Sequence, residues 1–192
     1  NRTLALLSKM FNLAERWGLR PDGSNPCRHI QKYKEQKRER FLSELELARL
    51  GKHLRAFEAD GTELPSVIAA VRLLLFTGAR LGEILTLRWE YIDDERGLIR
   101  LPDSKTGAKT IPLNLPALDV LASLSRDGSP WVIRGGKDGR HLVNLEKAWR
   151  RIREKAKIPD VRLHDLRHSF ASVGAASNLS LPVIGGLLGH RE

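Results

Sequence analysis

Five side chains in this sequence have the chemistry to engage a phosphodiester. Arg80 stands in Thr77-Gly78-Ala79-Arg80 and Lys105 in the turn Ser104-Lys105-Thr106-Gly107. His164 and Arg167 belong to His164-Asp165-Leu166-Arg167-His168, and His190 to Leu188-Gly189-His190. Arginine donates two parallel, charge-assisted hydrogen bonds to phosphate oxygens from a planar fork that lysine cannot reproduce. At i, i+3 spacing His164 and Arg167 project from one helical face and can reach a single phosphate. The Thr-Gly break before Arg80 predicts a position in the first turn of a helix, where unpaired N–H groups favour an anion. A lysine heading a turn suits delivery of a proton to a leaving oxygen. The set lacks a nucleophile.

Each of these residues has a plainer reading. Glu83 lies at i+3 from Arg80 and Asp165 lies near Arg167, so either arginine alone reads as half of a surface ion pair. Lys105 alone reads as a solvated turn residue, and His190 beside Leu187-Leu188 as a satisfied core histidine. The His164 and His168 pair has the i, i+4 spacing of a zinc-protease helix. That motif needs Glu after the first His, however, and here Asp165 follows, with Arg167 between the rings to oppose a dication. Gly78-Ala79-Arg80-Leu81-Gly82-Glu83 lacks the glycine spacing and Lys-Ser/Thr ending of a phosphate-cradling loop. Neither a metal nor a nucleotide is expected.

Composition points the same way with less precision. Thirty-three Lys plus Arg against 23 Asp plus Glu give a net charge of +10 in 192 residues. That balance favours a polyanionic partner, as it does in ribosomal, membrane-surface and heparin-binding proteins. The longest apolar run, Leu73–Phe76, is far below the roughly 18 residues of a spanning helix. One cysteine, Cys27, excludes an internal disulfide framework and fits a reducing cytoplasm. Starting at Asn1 without Met, the sequence reads as a fragment.

The elements that must position these side chains follow from periodicity. Leu4, Leu7, Met10, Phe11, Ala14 and Trp17 predict a first helix closed by Gly18. Residues 19–40 read as a linker, with turn chemistry at 21–26 and then a basic run of Lys32, Lys34, Lys37, Arg38 and Arg40, which reads equally as a solvated connector or as a strap that tracks phosphates. Ser43 and Glu46 form a capping box that opens a helix to about Phe57. Pro65 begins an apolar helix through Phe76, and a short helix runs from Arg80 to Leu87. Leu98–Leu101 and Thr110–Leu113 flank the Ser104–Lys109 turn as a hairpin, and Pro112 makes the second strand an edge. Further helices are predicted over Leu115–Ser125, Val143–Lys155, Leu163–Ser177 and Leu181–Leu188, with a short strand at Trp131–Ile133. The fold class is mainly α with a small antiparallel β-sheet, α+β.

With these positions placed, the sequence resembles the catalytic domain of tyrosine recombinases, the phage-type integrases. Four segments carry the likeness in the family's order: Thr77–Trp89, Ser104–Gly107, His164–Ala171 and Leu187–His190. The resemblance implies the DNA breaking-rejoining fold over residues 41–192. It also implies that residues 1–19 are the last helix of an N-terminal core-binding domain, with residues 20–40 as a basic interdomain linker. In the family a tyrosine attacks a DNA phosphodiester, forms a 3′-phosphotyrosyl link and releases a 5′-hydroxyl, with no metal or nucleotide cofactor. Carried over, Arg80 and Arg167 hold the non-bridging oxygens and His164 is the general base. Lys105 protonates the leaving oxygen and His190 donates to the phosphate. Glu83 and His168 support, Glu83 by orienting Arg80. The partner is double-stranded DNA, bound by a homotetramer, in a bacterial or phage-derived cytoplasmic protein.

The sequence departs from the family in one respect. Its tyrosines are Tyr33 and Tyr91, and neither falls where the family's nucleophile falls, so that residue is expected after Glu192. The chain alone is then expected to bind DNA without cutting it, as a monomer. The alternatives are a non-catalytic DNA-binding relative and an enzyme like a type IB topoisomerase. All three readings share phosphate contacts. In a salt titration of duplex binding, log affinity should fall linearly with log salt, by about 0.9 for each phosphate neutralised. A salt-independent affinity would exclude phosphate binding.

Overall fold

Helix α1 (Arg2–Arg16) forms on the predicted spacing, and Gly18 leaves it at φ +70°. The computed structural model describes residues 1–36, 38–104, 107–136 and 139–176. The chain divides into two compact units, Asn1–Arg38 and Glu39–Glu192. In the first, part of the predicted linker is tied back onto α1. The Asn25 amide is buried, donating to the Ser8 carbonyl at 3.1 Å and Asn12 Oδ1 at 2.7 Å, while its oxygen accepts the Cys27 N–H at 2.8 Å. Asn1 holds both the carbonyl and the N–H of Tyr33, at 2.8 and 3.0 Å. Leu6, Leu7, Met10 and Trp17 are exposed.

The second unit starts with the capping box as read. The Ser43 hydroxyl accepts the Glu46 N–H, and the Glu46 carboxylate accepts the Ser43 N–H at 2.9 Å. Helix α2 (Glu44–Asp60) outlasts the predicted end at Phe57 until Gly61 turns left-handed at φ +68°. Helix α3 (Pro65–Thr77) is buried on nearly every side, from Val67 through Val71 and again at Leu73 and Leu74. A helix apolar all round belongs at the centre, and α3 packs against α2, the short α4 (Leu81–Leu85), α5 (Leu115–Ala122) and α7 (Leu163–Ala176).

The hairpin forms as β2 (Leu98–Leu101) and β3 (Lys109–Pro112), in antiparallel register with Ile99 opposite Ile111 and Leu101 opposite Lys109. Lys109 therefore opens the strand rather than closing the turn. A two-residue β1 (Ile92–Asp93) adds to β2, too short to show a period. Pro112 ends β3 on the outer edge, as expected.

The predicted strand at Trp131–Ile133 is absent as a strand. Isolated bridges, Arg88 to Trp131 and Arg134 to His141, take its place. Helix α6 (Glu146–Lys155) starts three residues later than predicted, because the Asn144 side chain accepts the Glu146 N–H at 2.8 Å and Val143 faces solvent. Its buried face is Ala148, Trp149 and Ile152, and Trp149 Nε1 donates to the Val161 carbonyl at 3.0 Å. The helix expected at Leu181–Leu188 lies outside the described residues. Among the described residues no helix is long and apolar enough to cross a membrane.

Arg40 departs from the phosphate-tracking expectation. Its guanidinium pairs with Glu46 at 2.7 Å and Asp160 at 2.8 Å, linking the start of α2 to the loop before α7. The hydrogen bond from Arg40 is the main reason the Glu46 carboxyl titrates at about 2. A second link is deeper. Buried Ser169 on α7 accepts the Leu42 N–H at 2.8 Å and donates to the Asp165 carbonyl at 2.8 Å. Replacing it strands a buried donor. Ser169→Ala should lower unfolding free energy by about 1–3 kcal/mol in urea denaturation.

Candidate active site

The turn that presents Arg80 is built residue by residue. Gly78 closes α3 in the left-handed region at φ +61°, which glycine adopts without strain, and its N–H caps the Leu74 carbonyl at 3.1 Å. Thr77 Oγ1 donates to the Leu73 carbonyl at 2.6 Å and accepts the Ala79 N–H at 3.2 Å. Arg80 then sits at the N-cap of α4 with extended backbone, not inside the first turn as predicted. Its own N–H donates to Glu83 Oε2 at 2.8 Å. The anion at this helix start is thus the Glu83 carboxylate.

That carboxylate is shared. Glu83 Oε1 accepts Arg80 Nη1 at 2.9 Å, and Oε2 also accepts Lys109 Nζ at 3.0 Å. The Arg80–Glu83 pair of the plainer reading is real, yet it is not exclusive. Burial opposes ionisation of Glu83, but the Arg80 N–H and Lys109 outweigh it and hold the carboxyl below its ordinary value. Lys109 is 9% exposed. Burial, with help from the Arg167 and Arg80 charges, pushes its ammonium below its ordinary value against the pull of Glu83.

Arg167 comes to the same place from α7. It is 6% exposed and donates through Nη1 to the Gly78 carbonyl, two residues before Arg80. Burial and then the Arg80 charge push its pKa down, with Glu83 opposing. Asp165 has a helix-start role, since its carboxylate accepts the Arg162 N–H at 2.8 Å.

His164, one turn before Arg167, and His168, the residue after it, lie on the exposed side of α7 with their rings edge to face, 4.8 Å apart. Partial desolvation, then His168 and Arg167, pull the His164 pKa below 6.5, with Asp165 opposing. A neutral imidazole beside two guanidinium groups can accept a proton. Among the described residues no group of three His, Cys, Asp or Glu side chains is placed to hold a metal ion.

Two clefts open here. One, of about 490 Å³, is lined by Ala79, Leu81, Arg153, His164 and Arg167 among others. The other, of about 540 Å³, is lined by Arg80, Glu83, Arg88, Tyr91, Ser104 and Trp131 among others. Ser104, on the chain leaving β2, lines the cleft that holds Arg80. Lys105 itself lies outside the described residues, as do His190 and Lys37 of the predicted set. Lys32, Lys34 and Arg38 are exposed in the Asn1–Arg38 unit. Tyr91 is half-buried and lines a cleft together with the hairpin residues Leu101, Pro102 and Thr110.

Lys109 is the site residue that sequence reasoning missed. A signal existed. Strand alternation puts Lys109 on the same face as buried Ile111, and the structure shows the pattern buried, exposed, buried, exposed over Lys109–Pro112.

Comparison with known proteins agrees with this fold. The family model described as Phage integrase family matches residues 40–192. The shufflon-specific DNA recombinase of Escherichia coli is 32% identical over 98% of this chain and 47% of its own length. The tyrosine recombinase XerD of Neisseria meningitidis is 25% identical over 100% of this chain and 68% of its own length. Among solved structures, a lambda integrase dimer bound to a COC′ core site superposes with TM-score 0.71 at 21% identity, covering 98% of this chain and 70% of that one. The Tn1549 transposon integrase in complex with transposon right end DNA reaches TM-score 0.78 at 17% identity, over 100% and 71%. These likenesses show a common fold. The chain spans about half the length of the shufflon recombinase it matches.

The electrostatics of the α7 face can be read directly. In an NMR titration the His164 ring should titrate below 6.5, and His168→Asn should move it upward by removing one source of repulsion. An unmoved His164 would mean that the two rings do not interact.

Proposed function

This chain belongs to the phage integrase family, and on that premise we propose that the protein exchanges strands of double-stranded DNA at specific sites. The observation that supports this most is the meeting of Arg80 and Arg167 at one turn, through the hydrogen bond from Arg167 to the Gly78 carbonyl. Two guanidinium groups there match the non-bridging oxygens of a phosphodiester, where charge accumulates in the pentacoordinate transition state.

The reaction balances as a transesterification. A tyrosine oxygen bonds to phosphorus, its proton passes to neutral His164, and the P–O5′ bond breaks. Lys105 protonates the departing 5′-oxygen and His190 donates to the phosphate, leaving a 3′-phosphotyrosyl link and a 5′-hydroxyl. A 5′-hydroxyl from a partner strand reverses the step, so the bond is exchanged rather than hydrolysed. The attacking tyrosine comes from sequence following Glu192. Residues 1–19 serve as the last helix of an N-terminal core-binding domain, and exposed Lys32, Lys34 and Arg38 meet backbone phosphates. The full-length protein acts as a tetramer on DNA, in integration or excision of a mobile element.

The test is covalent complex formation by the full-length protein on a nicked duplex carrying the site it selects from a random-sequence pool. Arg80→Ala and Arg167→Ala should each slow the complex about 10²–10³-fold, the scale of a lost charge-stabilising donor. Near-normal rates in both variants would remove the roles assigned to them. Loss of the covalent link in Tyr91→Phe would move the nucleophile inside this chain.

A further inference from the structure

We infer that Lys109 is a positioning residue for Arg80, acting through the Glu83 carboxylate that the two share. The inference rests on the strand-exchange reading above and adds to it a side chain outside the sequence motifs. Three observations carry it. Lys109 is buried at the first position of β3, opposite Leu101, where a charged side chain is costly without a partner. Its Nζ meets Glu83 Oε2 at 3.0 Å, while Glu83 Oε1 meets Arg80 Nη1 at 2.9 Å. The Arg80 backbone N–H also donates to Oε2, at 2.8 Å, so one oxygen is pinned from two directions and the other is aimed at the guanidinium.

The division of labour follows from valence. A carboxylate held by Arg80 alone can rotate to take two donors of its guanidinium and close the pair on itself. With Lys109 and a backbone N–H holding Oε2, Glu83 has only Oε1 to offer the arginine side chain. Arg80 is steadied through Nη1, and its remaining N–H donors can turn to a phosphate. Lys109 also ties the hairpin to Glu83 on α4, the helix that Arg80 caps, which keeps strand and arginine in fixed register.

The experiment uses the full-length protein and the same nicked duplex. Lys109→Met should slow covalent complex formation about 10- to 100-fold, the scale for a misplaced catalytic group, with duplex affinity unchanged within about twofold. Lys109→Arg, which can still reach Glu83, should recover most of the rate. In the Glu83→Gln background, Lys109→Met should cost little more, because both act on Arg80 through one contact. A bridging 5′-phosphorothiolate, whose thiolate leaves without a proton, should leave the Lys109→Met defect in place. Rescue by that substrate would make Lys109 a proton donor and overturn the inference. So would a wild-type rate in Lys109→Met, losses that multiply with Glu83→Gln, or a parallel loss of duplex affinity. A wild-type protein that forms no covalent complex overturns the reading beneath, whereas a wild-type complex with an unaffected Lys109→Met overturns the inference alone.

Discussion

Cations do not collect inside a protein unless something negative holds them, and here the Glu83 carboxylate does so. Arg80 and Lys109 both bond to it, and Arg167 lies within its electrostatic reach. Removing such charges from water costs several kcal/mol per ion before any attraction is counted. A carboxylate shared among cations fully neutralises none of them. That is the condition a site needs if it is to stay attractive to a phosphate and still fold.

The second constraint is steric and sits at Gly78. The chain must leave α3 abruptly for Arg80 to reach the cleft, and left-handed backbone at φ +61° does this. The same turn exposes the Gly78 carbonyl, which accepts the Arg167 hydrogen bond. One residue thus ends a helix, presents one arginine and docks the other. Behind it, α3 is buried from Val67 to Leu74 apart from Arg72, and α7 is locked at Ser169, so the two carriers of the guanidinium groups are parts of one core.

Much of this was legible in the sequence because local rules decide it. The capping box at Ser43 and Glu46, the apolar run of α3 and the edge position of Pro112 follow from neighbours a few residues away. The i, i+3 logic also paired Arg80 with Glu83 and put His164 with Arg167 on α7. What escaped was set by distant partners. Lys109 looked like a turn lysine until strand alternation turned it inward to Glu83, 26 residues earlier in the chain. Arg40 looked like part of a basic strap until Asp160, 120 residues away, claimed it. The predicted strand at Trp131 fails because β propensity cannot supply a continuous neighbour; the segment finds separate contacts, a bridge from Trp131 to Arg88 and hydrogen bonds from the Val132 N–H to the Leu87 carbonyl and from the Leu142 N–H to the Ile133 carbonyl. Asn25 belongs to turn chemistry, as the sequence implies, but its amide also anchors the loop to α1.

The small sheet carries a further consequence for how the chain avoids sticking to itself. At one border lies a strand of two residues, and at the other a strand of four that ends in proline, which has no N–H to offer. Both borders are poor templates for a foreign strand. Among the described residues the sheet thus offers little for self-templated aggregation through edge-to-edge β-pairing.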